Sequence, residues 1–154
     1  LATLGHIASI DAFQHWVYTD DAGADPEARD AAWLDIRGRF EPAVDWEGLE
    51  AERVGRWYRQ LHVFLYPFYY IEYGIAQLGA LQVWRNSQAD PAAAVTAYRD
   101  FLALGATRPL PELYRTAGAK LVFDAAGMAE LVQLVEEQTA RLRDGLPPRE
   151  VAPS

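Results

Sequence analysis

Leu61-His62-Val63-Phe64-Leu65-Tyr66-Pro67-Phe68-Tyr69-Tyr70-Ile71-Glu72-Tyr73-Gly74, running on through Gln77, Gly79 and Ala80 to Asn86, decides how this chain is read. Apolar and aromatic residues recur there at three- and four-residue spacing, the period of an α-helix. Pro67 cannot sit inside an unbroken helix, because it lacks an N–H and its ring crowds the preceding turn. The pattern therefore predicts a helix restarting near Tyr66 and continuing to about Asn86. Because it is apolar on most sides, it is expected to be the central, buried helix of the domain.

Working outward, the same period covers nearly the whole chain. A first helix is expected from about Thr3 to Tyr18, with Leu4, Ile7, Ala8, Ile10, Phe13 and Val17 as its apolar stripe. Asp25-Pro26 signals the start of a second, to about Phe40, since the Asp side chain can accept from free backbone N–H groups and Pro fits the first helical position. A third is expected from about Trp46 to His62, with Leu49, Val54, Trp57 and Leu61 apolar. Asp90-Pro91 opens another that stops at Leu104 before Gly105. A short helix follows Pro111 within 109–118, and Asp124 caps a last one ending near Arg143. No strand-like alternation survives. The expectation is an all-α bundle of about seven helices around one core, spanning 1–144, with a disordered tail at 145–154.

Composition limits the function classes. The 154 residues are 51% hydrophobic and 12% aromatic, enough to fill a core. A net charge of −8 and a pI near 4.8, with Lys120 the single lysine and the arginines dispersed, repel nucleic-acid phosphates and anionic lipid. Neither nucleic acid nor membrane is an expected partner. Cysteine is absent, which suits a reducing, cytoplasmic location. No apolar run reaches the length of a membrane span, and no signal peptide is visible. The start at Leu1-Ala2-Thr3-Leu4, without Met, reads as a cut from a longer polypeptide.

Chemistry concentrates on the helix quoted first. His62, Tyr66, Tyr70, Tyr73 and Gln77 are spaced by four, four, three and four residues, which in a continuous helix is one face. An imidazole, three phenols and an amide there can donate hydrogen bonds to a carbonyl oxygen and to the charge that develops on it. Phenols suit this role because they stay protonated near neutral pH. Core packing is the competing reading, since aromatic stripes at helical spacing are commonly buried. The density of hydroxyls, with Tyr69 added, weighs against it. Glu72, if buried, needs a partner, and Gly74, Gly79 and Ala80 leave room for another helix or a bound peptide. The three histidines, His6, His15 and His62, contain no pair at i, i+4, and there is no His-Glu-x-x-His. Metal ligands are therefore predicted to be none. Asp11 and His15 are placed to share a hydrogen bond, without a credible nucleophile nearby.

Two stretches resemble a known family. Ile10-Asp11-Ala12-Phe13-Gln14-His15-Trp16-Val17-Tyr18 is one. Arg59-Gln60-Leu61-His62-Val63-Phe64 running into Tyr66-Pro67-Phe68-Tyr69-Tyr70-Ile71-Glu72-Tyr73-Gly74-Ile75-Ala76-Gln77-Leu78-Gly79-Ala80 is the other. With Pro109-Leu110-Pro111-Glu112-Leu113-Tyr114 and Ala117-Gly118 they look like the C-terminal region of oligoendopeptidase F, of the M3 (thimet-type) zinc metallopeptidases. The resemblance implies a larger, almost wholly helical, channel-forming peptidase. It implies zinc held by a His-Glu-x-x-His helix and a downstream Glu that lie before Leu1. By position in the motif it makes His62 and Tyr66 substrate-binding residues and Tyr70 and Tyr73 catalytic, facing the scissile carbonyl. The implied partners are peptide substrates and the remainder of the peptidase chain, with an exposed apolar face open to self-association. The rival reading is a stand-alone, non-catalytic helical module that binds peptide or protein; a third has a separate chain supply the zinc motif.

Overall fold

A computed structural model describes residues 2–41 and 44–145. It contains eight α-helices and no strand among the described residues, so the all-α expectation holds. They are α1 (Ala2–Thr19), α2 (Pro26–Phe40), α3 (Glu50–Val54), α4 (Leu61–Leu65), α5 (Ile71–Ala89), α6 (Pro91–Leu104), α7 (Leu110–Thr116) and α8 (Ala125–Asp144). Single 3₁₀ turns cover Asp21–Ala24 and Gly55–Arg59. The chain divides into two compact units, Leu1–Gln77 and Leu78–Ser154, with the boundary inside α5. Of the tail expected at 145–154, all but Gly145 lies outside the described residues.

The first unit is organised by aromatic rings. Ile10 and Phe13 of α1, Trp33 and Ile36 of α2, Trp57 and Val63 form one buried cluster. The Phe13 ring lies 5.3 Å from Trp33 and 5.1 Å from Trp57. Burying side chains of this size contributes about 2–3 kcal/mol each. Each indole also satisfies its N–H, Trp33 donating to the Arg53 carbonyl at 3.1 Å and Trp57 to Asp30 Oδ1 at 3.0 Å. α2 starts where its cap demands: Asp25 accepts from the Glu27 N–H at 3.1 Å and Pro26 occupies the first turn.

In the second unit the later turns of α5 hold a backbone segment through two amides. Gln82, almost fully buried, donates to the Lys120 carbonyl at 2.8 Å and accepts from the Lys120 N–H at 3.0 Å. Asn86 donates to the Gly118 carbonyl at 2.8 Å. Gly79 allows a close approach, since a Cβ there would lie 2.8 Å from the Tyr114 ring of α7. The room expected at this glycine is taken by a neighbouring helix. Asp90 and Asp124 cap α6 and α8 through the N–H groups of Ala93 and Gly127.

Three expectations are corrected. The third helix, expected from Trp46 to His62, is two short helices with a 3₁₀ turn between them, because Gln60 is extended at φ −91°, ψ 91° and breaks the ladder. Of its apolar residues, Leu49 and Leu61 are 48% and 56% exposed. The helix expected to restart at Tyr66 begins at Ile71, because Phe68 lies in the left-handed region at φ 60°. Nor is α5 buried all round: Glu72, Tyr73, Ala76, Gln77 and Trp84 are exposed, and it buries one side through Gly74, Leu78, Gly79 and Gln82.

Gly23, in the 3₁₀ turn joining α1 to α2, is buried, and a Cβ there would overlap the Val17 carbonyl oxygen. Backbone cannot yield as a flexible side chain can. Gly23→Ala is expected to destabilise the protein by about 1–3 kcal/mol, read as a lower midpoint of urea unfolding with an unchanged slope.

Candidate functional site

The site is built by a clamp from α1 onto the segment between α4 and α5. Gln14, fully buried, donates its amide to the carbonyls of His62 at 2.8 Å and Tyr66 at 3.2 Å. One helical turn on, the Tyr18 hydroxyl donates to the Val63 carbonyl at 2.7 Å. These three carbonyls lie in α4 and at its C-cap, and those of His62 and Tyr66 also accept from the backbone N–H groups of Tyr66 and Tyr69. The Phe68 ring packs at 4.8 Å from His15 and 5.8 Å from Tyr18, holding the turn in place. A bulky residue with positive φ costs roughly 1–3 kcal/mol, a strain that persists only where its surroundings hold it.

The break gathers the predicted residues more tightly than a continuous face would. The His62 ring has four phenol rings about it: Tyr70 at 4.9 Å, Tyr66 at 5.7 Å, Tyr73 at 5.8 Å and Tyr69 at 6.2 Å. Tyr73 Oη lies 3.4 Å from His62 Nε2. Tyr70 packs against the core and also meets the His6 ring edge-on at 5.9 Å. Burial, then Tyr73, holds the Tyr70 phenol above its usual range against a hydrogen bond from Gln60, so it remains a neutral donor at neutral pH. Tyr66, Tyr69 and Tyr73 are half-exposed. His62, Tyr66, Tyr70 and Tyr73 thus come together, whereas Gln77, exposed on α5, does not join them.

Glu72 is exposed, which removes its need for a buried partner. The Asp11–His15 pair is 3.8 Å apart, ion-pair rather than hydrogen-bond distance. Burial raises the Asp11 carboxyl, partly offset by His15.

Residues that spacing did not single out lie behind His62. Gln60 donates to its Nδ1 at 2.9 Å. Arg37, buried on α2, donates through Nη1 to His6 Nδ1 at 3.1 Å and to Ser9 Oγ at 2.6 Å, and pairs with Glu41. Burial and then Arg56 push the Arg37 guanidinium down to about 10, so it keeps its charge at neutral pH. Only the isolated Arg59-Gln60 before the aromatic run hinted at Gln60; Gln14 and Arg37 act across contacts that no local spacing reveals.

Comparison with known proteins gives the family. Residues 2–133 match the family description Peptidase family M3. The solved structure of "PZ peptidase A with inhibitor 2" is similar, at 32% identity and a TM-score of 0.80 over 88% of this chain. No curated protein matches. The chain belongs to peptidase family M3, and spans 24% of the length of PZ peptidase A.

Burial, then Arg37 and Arg56, hold the His6 imidazole below its ordinary 6.5, partly offset by Gln60. The unfolded chain then binds a proton that the folded chain resists. His6 should therefore lower stability as pH falls from about 7 towards 5, and cost nothing above that range. Urea unfolding across these pH values is expected to show that slope, and His6→Gln to flatten it.

Proposed function

We propose that this chain is part of a zinc-dependent endopeptidase of the oligoendopeptidase F type, hydrolysing short peptides. His62 and Tyr66 hold the peptide, and Tyr70 and Tyr73 donate hydrogen bonds to the oxygen that becomes negative as the amide carbon turns tetrahedral. The observation that carries this reading is the Tyr73 hydroxyl, exposed and 3.4 Å from His62 Nε2 in a ring of phenols. Membership of the M3 family and the likeness to PZ peptidase A support it.

A neutral phenol donor costs little to present to a ground-state carbonyl and gains strength as charge builds on that oxygen. Among the described residues no three His, Cys, Asp or Glu side chains are grouped to hold a metal ion. The residues described here thus do not fit a zinc site, and no step assigned to them passes through the metal. Leu61, Phe64 and Leu65 are exposed apolar side chains beside the cluster. In this reading the remainder of the peptidase chain covers them.

Tyr73→Phe in the complete natural protein removes one donor and leaves the ring. It is expected to lower kcat by roughly a hundredfold or more with KM little changed. Single-turnover and steady-state hydrolysis of a short fluorogenic peptide would measure both, and an unchanged kcat would remove Tyr73 from the mechanism.

A further inference from the structure

Positive charge is gathered on one side of the first unit and is not fully answered there. Trp33, Arg37 and Glu41, on α2 and at its C-cap, line a shallow hollow together with Trp46, Arg53 and Arg56. Three guanidinium groups share it with one carboxylate, a local excess of positive charge in a chain whose net charge is −8. That carboxylate is already engaged at the closed end. Glu41 pairs with Arg37, which is 3% exposed and donates through Nη1 to His6 Nδ1 and Ser9 Oγ. Among the described residues no ion pair answers Arg53, half-buried, or Arg56, exposed. Two of the cations lie over indole faces, Arg37 at 5.3 Å from the Trp33 ring centre and Arg56 at 5.2 Å from that of Trp46. Stacking engages the flat face of a guanidinium and leaves its in-plane N–H groups free to meet oxygen. Trp46 thus steadies Arg56 without neutralising it. After burial, Arg56 is also what pushes the Arg37 guanidinium down, so like charges press on one another across the hollow.

We propose that this hollow binds a small, doubly charged oxyanion of the phosphate class, held at its mouth by Arg53 and Arg56 above the closed Arg37–Glu41 pair. A concave surface lined by one sign of charge and walled by aromatic rings concentrates counter-ions of the other sign. Guanidinium forks offer paired N–H donors, which suit an anion with several oxygens better than a halide. The bound anion answers Arg53 and Arg56 and offsets the repulsion between Arg56 and Arg37. The proposal is independent of the catalytic reading of Tyr73.

The test is calorimetric titration of the complete natural protein with inorganic phosphate near pH 8, with ionic strength held constant by chloride. Saturable binding is expected, with a rise in the thermal midpoint because the anion binds the folded chain alone. Arg53→Gln and Arg56→Gln should each raise the apparent Kd roughly tenfold. Arg39→Gln, on the same helix as Arg37 but paired with Asp35, should leave it unchanged. Acetate, singly charged, should bind more weakly than phosphate. No heat and no shift of the midpoint with phosphate overturn the proposal without any variant having to fold. Equal weakening by Arg39→Gln overturns it too, since the effect is then diffuse charge and not a site. Acetate binding as tightly as phosphate overturns the doubly charged class and assigns the hollow to a carboxylate. Glycerol 2-phosphate separates the two sources of such a group: binding as tight as inorganic phosphate supports an ester as the ligand, and loss of binding supports the free ion.

Discussion

The amide of Gln14 ties the stretch of backbone between α4 and α5 to α1. Between the end of α4 and the start of α5 the chain makes only short turn hydrogen bonds of its own, and donors from α1 add long-range ones. Gln14 is fully buried on α1 and gives its two hydrogens to the carbonyls of His62 and Tyr66. The same helix contributes Phe13 to the aromatic core, one residue before Gln14. Core packing therefore fixes the position of Gln14, and Gln14 fixes the position of His62. The left-handed turn at Phe68 is held against the same helix, where its ring packs on His15 and Tyr18.

The site depends on a helix that fails to form. Had α4 and α5 been continuous, His62, Tyr66, Tyr70 and Tyr73 would lie in a row along a cylinder, with side chains three or four residues apart meeting pairwise. The Pro67–Phe68 turn folds the row over, so that one imidazole has four phenol rings within 6.2 Å. A clustered set of donors can converge on one oxygen, whereas a row addresses successive atoms of a ligand.

What could be read from residues follows the range of the interaction. Asp25-Pro26 and Asp90-Pro91 gave helix starts that agree with the structure, because a cap and its first turn are decided within four residues. The stop of α6 at Gly105 was legible for the same reason. The segment from Trp46 to His62 was not. Its apolar spacing is helical, but Trp33 Nε1 takes the Arg53 carbonyl and Asp30 takes the Trp57 indole, contacts that span twenty residues or more. His62, Tyr66, Tyr70 and Tyr73 were recognised as a set, though for a face that the structure breaks. Gln60 and Gln14 escaped because an amide's role lies in what it touches.

Arg37 shows why the group behind the site is a matter of protonation as well as packing. A buried guanidinium is costly unless it is paired, and this one has Glu41, Ser9 and His6. Glu41 answers its charge and Ser9 its geometry, so neither requires an imidazole at His6. Placing one there ties the neutral form of His6 to the charge of Arg37, since a protonated Nδ1 would face a cation. An aliphatic side chain at His6 would fill much the same space on α1, but it would leave one Arg37 hydrogen without its acceptor.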